Sequence, residues 1–212
     1  MKIALIGASG FVGSAILNEA VSRGHSVTAI VRDTSKLNPH PQVRAVAVDA
    51  QDPQALADVL KGHDRVISAY NPGWSAPDIH DQYLKGASAI VEAANAAHSW
   101  LLVVGGAGSL EIAPGVQLVD TPDFPAEWKQ GALAARDGLT ALRRETTLDW
   151  RAGAPPGFPD PGEERGGYRL GGDQVLFSGD KPAGITVGDL ADGVLNEAET
   201  PAHLRQRFTL GY

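Results

Sequence analysis

Short apolar runs alternate with amphipathic segments along the first two-thirds of the chain. Compact runs of apolar and β-branched residues predict strands, and longer segments with apolar residues at helical spacing predict the helices between them. The predicted strands lie at 3–6, 27–31, 43–48 and 101–104 and begin at 65–68 and 148–150; the predicted helices lie at 11–22, 53–60, 78–97 and 126–145. This alternation indicates an α/β fold with a doubly wound, mostly parallel sheet.

The alternation breaks after about residue 151. Segment 153–172 is rich in glycine, proline and charge, which predicts a long loop with a short strand near 168–170. A helix follows 185–189 and ends near 197, and a closing strand lies at 207–210. Long irregular segments in compact domains usually serve function. We therefore expect one domain over 1–212, with its core at 1–151 and a small substrate-side segment at 152–212.

A glycine-rich turn, GASGFVG at 7–13, follows the first strand and opens the first helix. Gly7 permits the tight turn, Gly10 lets the backbone approach a pyrophosphate, and Gly13 lets the helix pack on the strand. The helix N-terminus adds free N–H groups and a positive dipole end. Because strand, turn and helix occur in the required order, the turn predicts a Rossmann-type sheet that binds a dinucleotide.

The end of the second strand carries two cations, Arg32 and Lys36, with Asp33 between them. In a dinucleotide fold this point meets the adenosine ribose, where arginine accommodates the 2′-phosphate of NADP and an acidic residue binds the 2′-hydroxyl of NAD. The pattern favours NADP(H) over NAD(H). A solvated charged turn is the alternative.

Further candidates follow the later strands. Asp49 can accept from the adenine amino group or cap a turn, and the strand end Ser68-Ala69-Tyr70 should lie along the cofactor. Trp74 either meets a flat substrate or packs on the surface. The close backbone approach that Gly105 and Gly106 allow suits the nicotinamide.

Three residues are candidates for the reacting end of the site. Ser109 either donates to substrate or caps a helix, and Lys129 either reaches the nicotinamide ribose or is an ordinary exposed lysine. Pro155 after the sixth strand, with its neighbour Pro156, can wall the nicotinamide pocket, and Pro155 is the substrate-side candidate. Ser109 and Lys129 are the two candidate catalytic residues.

Composition narrows the function classes. The formal charge of −7 disfavours nucleic acid and anionic membranes as partners, since neither attracts an acidic surface. The absence of cysteine excludes disulfides, thiolate metal sites and cysteine nucleophiles. The six histidines are scattered, and we predict no metal site. Without a signal peptide or a membrane-length apolar run, a cytoplasmic protein is expected, as a monomer or homodimer that acts on a small molecule.

Six segments in order along the chain resemble the atypical short-chain dehydrogenase/reductase superfamily, in its NmrA-like branch, nearest to NADH-flavin reductases and biliverdin reductase B. The segments are GASGFVG at 7–13, IVRDTSKL at 30–37, VDAQD at 48–52, GHDRVISAYNPG at 62–73, LLVVGGAGSL at 101–110 and ITVGDLA at 185–191. The resemblance implies cofactor contacts at Gly7, Ser9, Gly10, Phe11, Val12, Arg32, Lys36, Asp49, Ser68 and Ala69.

One departure from that superfamily concerns the reaction. Its typical members carry a Tyr-x-x-x-Lys pair on the helix after the fifth strand, whereas 124–129 here reads FPAEWK. Tyr83 lies on the preceding helix, with Ala87 in place of the lysine. Carbonyl reduction benefits from a positioned acid, whereas solvent can protonate a reduced flavin or quinone. We therefore predict an NAD(P)H-dependent reductase of a flavin or quinone-like acceptor, with flavin as substrate. A non-catalytic NADP(H) sensor is the alternative, and a nucleotide-sugar epimerase or dehydratase a third.

Overall fold

The computed structural model describes residues 1–163 and 165–212, so Glu164, inside the predicted loop, lies outside the described residues. The strands and helices are β1 (Lys2–Ile6), α1 (Phe11–Ser22), β2 (Ser26–Val31), β3 (Val43–Ala47), α2 (Pro53–Leu60), β4 (Arg65–Ser68), α3 (Ile79–Ala96), β5 (Trp100–Val104), β6 (Glu111–Ala113), β7 (Val116–Gln117), α4 (Ala126–Leu142), β8 (Asp149–Ala154), β9 (Arg169–Gly171), β10 (Phe177–Ser178), β11 (Lys181–Pro182), α5 (Val187–Glu199) and β12 (Arg207–Gly211). Each strand and helix of the predicted alternation is present.

The main sheet has eight strands in the order β3-β2-β1-β4-β5-β8-β12-β9. All neighbouring pairs are parallel except β12 and β9, which pair antiparallel. The chain therefore reverses its direction of sheet growth between β1 and β4, and ligands of doubly wound sheets bind beyond the strand ends at such a point. The predicted α/β, doubly wound, mostly parallel Rossmann sheet is confirmed.

Two apolar layers cover the sheet. On one face, α1 and α5 pack together over a buried cluster that includes Ile16, Leu190 and Phe208. On the other face, α2 and α3 cover a second cluster that includes Leu56 and Trp150, and α4 packs on α3. Both faces are covered, as the near-continuous apolar strands require.

Local signals explain where two of the helices begin. The Asp52 carboxylate accepts from the N–H of Ala55 at 3.0 Å, and Pro53 occupies the first helical position of α2, where its missing N–H costs nothing. The hydroxyl of Thr186 accepts from the N–H of Asp189 at 3.2 Å at the start of α5. Both contacts satisfy N–H groups that the first helical turn leaves without partners.

The structure corrects the predicted boundaries around the sixth strand of the core. β8 continues to Ala154, whereas the sequence placed the loop from 153. Gly153 pairs with Val104 on one side and with Phe208 on the other. A Cβ on Gly153 would lie 2.9 Å from the Phe208 ring, so the glycine that indicated a loop makes room for a core side chain. Helix α4 ends at Leu142 rather than near 145.

Two short hairpins, β6–β7 and β10–β11, were not predicted. Their strands have two or three residues each, too few for an apolar period to show. Both hairpins lie on the substrate side of the sheet and contribute Ile112, Phe177 and Pro182 to the cleft described below.

Candidate functional site

A cleft of about 1010 Å³ runs along the carboxyl ends of the parallel strands. Its walls come from the turns that follow β1 to β5 and β8, where ligands of this fold bind. Most of the predicted site residues line it: Gly7, Ser9, Gly10, Phe11, Val12, Arg32, Lys36, Asp49, Ala69, Tyr70, Gly105 and Gly106, with the predicted substrate residues Trp74 and Pro155. Four predicted residues do not line it, namely Gly13, Ser68, Ser109 and Lys129.

The glycine turn is folded tightly against the sheet and open towards the cleft. Gly7 has φ +80°, its N–H donates to the Ile30 carbonyl at 3.0 Å, and its carbonyl accepts from the N–H of Gly10 at 3.1 Å. A Cβ on Gly13 would lie 2.0 Å from the Gly7 carbonyl oxygen, so α1 approaches the turn more closely than a side chain allows. A Cβ on Gly10 would meet only the Gly7 oxygen, at 3.4 Å, which leaves space on the cleft side.

Positive charge in the cleft is confined to the end of β2. Arg32 and Lys36 are the cationic side chains among the described residues that line it, and both are exposed. Asp33 turns away and caps a 3₁₀ turn at 34–36, accepting from the N–H of Ser35 at 3.0 Å and from its hydroxyl at 2.7 Å. These hydrogen bonds lower the pKa of Asp33. The Asp33 carboxylate therefore stabilises the turn, whereas Arg32 and Lys36 line the cleft.

Asp49 follows β3, as predicted, and lines the same end of the cleft. Its carboxylate accepts from the N–H of Gln51 at 3.0 Å, which fixes the turn. Because a carboxylate has further acceptor sites, this hydrogen bond leaves Asp49 free to accept another from a ligand.

Two aromatic side chains of the cleft pack against glycines of α3 and α4, which leave room for their rings. A Cβ on Gly86 would lie 2.3 Å from the Tyr70 ring, and a Cβ on Gly131 would lie 2.6 Å from the Trp74 ring. The Tyr70 hydroxyl donates to the Gln82 carbonyl at 3.0 Å. Trp74 therefore packs on a helix and also lines the cleft, with about half of its surface exposed.

Ser68 and Ser109 do not line the cleft. Both line a smaller cavity of about 360 Å³ beneath α3 and α4. The Ser109 hydroxyl accepts from buried Arg207 at 2.7 Å, and its carbonyl accepts from the same guanidinium at 3.3 Å. Ser109 thus holds a buried arginine, and the structure places it away from the predicted substrate position.

Lys129 lies in the first turns of α4. Its neighbour Trp128 lines the cleft, whereas Lys129 does not. On a helix, adjacent residues point about 100° apart, which accounts for the difference. Neither candidate catalytic residue therefore stands on the cleft wall.

One end of the cleft, where the sequence predicts the substrate, is apolar and aromatic. It contains Phe124, Trp128, Phe158 and Phe177, together with Ile112, Leu118, Pro155, Pro156, Pro159 and Pro182. Sequence reasoning identified Pro155 and Pro156 of this set and missed the others, because the residues come from four separate segments. The aromatic residues within the Gly/Pro-rich loop were the one available signal. Asp123 is the acidic side chain at this end.

Tyr83 is buried and lines both the cleft and the smaller cavity. Burial raises the pKa of Tyr83 to about 12, and the neighbouring Tyr70 adds to the effect. Ala87, one helical turn further on, supplies no positive charge that would lower this pKa. Tyr83 therefore stays protonated at neutral pH and is a weak acid.

Among residues 1–163 and 165–212 there is no group of three or more side chains placed to hold a metal ion. Within the same residues, none of the helices is both long and apolar enough to span a membrane.

Known proteins match this chain over most or all of its length. A family model described as NAD(P)H-binding matches residues 7–201. YwnB of Bacillus subtilis (strain 168), described as an uncharacterized protein, is 39% identical over 214 residues, which cover 99% of this chain and 98% of YwnB.

Two solved structures are similar over nearly their full length. A "putative epimerase" from Bacteroides thetaiotaomicron has 40% identity and a TM-score of 0.92, covering 100% of this chain and 96% of that one. A "putative NADH-flavin reductase" from Streptococcus pneumoniae TIGR4 has 37% identity and a TM-score of 0.88, covering 100% and 99%. The resemblance to NADH-flavin reductases that the sequence motifs indicated is confirmed.

Proposed function

Because the chain belongs to the family of NAD(P)H-binding proteins, we propose that this oxidoreductase passes a hydride from NADPH to a flat acceptor, a flavin or a quinone. The observation that carries the proposal is the aromatic and proline-rich wall at the substrate end of a cleft whose other end is a glycine turn. The NADH-flavin reductase description of the pneumococcal neighbour supports the same chemistry.

The residues of the cleft fit a dinucleotide. The glycine turn is packed so closely that a Cβ on Gly7 would lie 2.6 Å from the Ala69 carbonyl oxygen and one on Gly13 2.0 Å from the Gly7 oxygen, whereas the open side of Gly10 would admit a pyrophosphate. Arg32 and Lys36 would hold the 2′-phosphate, with Asp49 at the adenine. Gly105 and Gly106 allow close approach of the nicotinamide. When bound, this cofactor supplies the hydride; the chain orients it and excludes water.

The width of the sheet sets the distance between the two ends of the cleft. Three strand spacings separate β2 from β5, about 14 Å in all. The cations and the substrate end therefore lie at opposite ends of the cleft, as the adenosine phosphate and the nicotinamide do in an extended dinucleotide.

The acceptor wall suits a planar ring. Phe124, Trp128 and Pro155 are among the aromatic and proline side chains of this wall, and aromatic rings stack favourably on such flat apolar groups. Asp123 is the acidic side chain nearby, and among the described residues this wall offers no cation to a substrate phosphate. An uncharged ring, such as riboflavin or a quinone, fits this end better than an anionic sugar nucleotide.

The acid–base groups of the site favour such an acceptor as well. A phenol with a pKa of about 12 is poorly matched to proton transfer near neutrality, where efficient general acids titrate. Reduction of a carbonyl, or epimerisation of a sugar, needs a positioned acid or base. A flavin or quinone that accepts a hydride takes its proton from water, so the chain need only position the two rings.

The test is steady-state oxidation of NADPH in the presence of riboflavin, FMN and a quinone, each corrected for the reaction without protein. We expect turnover with at least one of these acceptors and riboflavin to be used at least as well as FMN. Tight NADPH binding without turnover on any acceptor would contradict the reductase. If NADPH and NADP⁺ also bound with different affinities, that result would favour a sensor.

The cofactor preference can be tested separately at Arg32. Replacing Arg32 by serine should weaken NADPH binding about 10- to 100-fold, the range for losing a hydrogen bond to a charged group, and leave NADH binding nearly unchanged. Arg44→Ser is the matched control, because Arg44 is an exposed cation on β3 that does not line the cleft. Fluorescence titration of both cofactors measures the effect. Equal weakening of NADPH and NADH would refute a 2′-phosphate site here.

A further inference from the structure

Three exposed aromatic side chains form a stacked column within the cleft. The rings of Phe11 and Phe158 are 5.8 Å apart between centroids and within 6° of parallel. The rings of Phe158 and Trp128 are 5.7 Å apart and 24° from parallel. We call Phe11, Phe158 and Trp128 the aromatic clasp. Its members are 43%, 55% and 40% exposed, so the rings meet each other at the cleft and are not buried in the core.

The three rings come from three separate parts of the fold. Phe11 is the first residue of α1 at the glycine turn, and Trp128 lies in the first turn of α4 on the acceptor wall. Phe158 belongs to the loop after β8 and stacks on both of the others. Its position joins the cofactor side of the cleft to the acceptor side.

The segment that carries Phe158 is short and anchored at both ends. Residues 155–159, which we call the proline strap, read PPGFP. One end continues from β8, and the other is fixed where the N–H of Asp160 donates to the Ile185 carbonyl at 2.8 Å. Proline fixes φ, so Gly157 is the residue of the strap with the most conformational freedom, and a Cβ there would meet nothing within 4 Å.

We propose that Phe158 is a positioning residue that holds the proline strap closed over the bound dinucleotide and so sets how long the cofactor stays in the cleft. With the aromatic clasp stacked, Phe11 at the glycine turn and Trp128 on the acceptor wall are joined through Phe158. The strap then lies along the path by which the cofactor leaves. Unstacking of Phe158, with rotation at Gly157, opens that path.

The proposal rests on the dinucleotide site of the proposed function but not on the acceptor. If no flavin or quinone were reduced, the release of NADPH would still test it. If the cofactor failed to bind at all, the dinucleotide site itself would be wrong, and the titrations described above would show this first.

The experiment measures NADPH dissociation by stopped-flow fluorescence, with excess NADP⁺ as the chase. Phe158→Ala should speed dissociation about tenfold, since it removes two aromatic contacts that are partly exposed. Association should be unchanged or faster, because the open state becomes more populated. Phe158→Tyr keeps the ring and should stay within about twofold of the parent.

Leu204→Ala is the matched control. Leu204 is 50% exposed, so it matches Phe158 in exposure, but it does not line the cleft. Equal dissociation rates for Phe158→Ala and Leu204→Ala would overturn the proposal. A Phe158→Ala variant that weakened binding through slower association alone would overturn it as well, since a clasp acts on release.

Discussion

Replacing Gly13 by alanine is expected to abolish tight NADPH binding and to destabilise the fold. The new Cβ would lie 2.0 Å from the Gly7 carbonyl oxygen, which is backbone and has no room to rotate away. Overpacking of this severity costs about 3 kcal/mol, which corresponds to a Tm about 10 °C lower in a domain of this size. Displacing α1 also moves the N–H groups that we propose bind the pyrophosphate, so binding should weaken by at least about 100-fold. Thermal unfolding and fluorescence titration measure the two effects.

The Gly10→Ala variant separates the loss of NADPH binding from the loss of fold stability. Its Cβ would make only an ordinary contact, 3.4 Å from the Gly7 oxygen, so the Tm should stay close to that of the parent protein. The methyl group would, however, occupy the open side of the turn and weaken NADPH binding. Parent-like affinity in Gly10→Ala would mean that no phosphate approaches the turn, and a parent-like Tm in Gly13→Ala would contradict the packing described here.

Replacing Asp189 by alanine is expected to cost about 3 kcal/mol of unfolding free energy, because it leaves buried donors without an acceptor. Asp189 is fully buried, and its carboxylate accepts from the N–H groups of Arg165 and Gly166 at 3.0 and 2.9 Å. It also accepts from the hydroxyls of Thr186, at 3.1 Å, and Tyr212. These contacts fix the loop after the proline strap onto the start of α5. Urea unfolding compares Asp189→Ala with Asp180→Ala, a control at an exposed hairpin turn that should change little.

The contribution of Asp189 should also depend on pH. Burial by itself raises the pKa of this carboxyl, but the hydrogen bonds from Tyr212, Gly166, Arg165 and Thr186 outweigh burial and lower it below its usual value. A lowered pKa in the folded state means that the stabilisation is fully present above about pH 4, the unfolded value, and is lost as the pH falls through the folded pKa. The stability difference between the parent and Asp189→Ala should therefore be constant near neutrality and shrink in acid. If the stability difference between the parent and Asp189→Ala grew on acidification, the pKa of Asp189 would not be lowered by folding.

Local signals in the sequence were enough to predict the sheet and to identify many of the residues that line the cleft. The glycine turn needs a strand before it and a helix after it, and all of these are contiguous at 2–22. Arg32, Asp49 and Tyr70 come within two residues of the ends of their strands, so knowing the topology places them at one edge of the sheet.

The predictions at strand ends were less accurate because side chains alternate between the two faces of a sheet. Ala69 lines the cleft, whereas its neighbour Ser68 points into the cavity beneath α3 and α4. Ser109 ends a 3₁₀ turn at 107–109 that carries it towards Arg207, a residue 98 positions away. No local pattern reports a contact at that separation.

The substrate end was largely beyond sequence reasoning for the same physical reason. Phe11, Trp128 and Phe158 belong to three segments that meet only after the sheet has formed. Asp189 reads in the sequence as an acidic residue in a first helical turn, and its role as a buried acceptor for Arg165 and Gly166 depends on how the loop folds back.

The central claim, hydride transfer to a flat acceptor in this cleft, is tested most directly by an anaerobic single turnover. The protein loaded with NADPH is mixed with riboflavin in a stopped-flow instrument, and the nicotinamide and flavin absorbances are followed together. We predict that both are lost at one rate, that NADPH deuterated at the transferred position slows that rate, and that Gly13→Ala reduces it to the background without protein. Bound NADPH that left the flavin absorbance unchanged beyond that background would contradict the account.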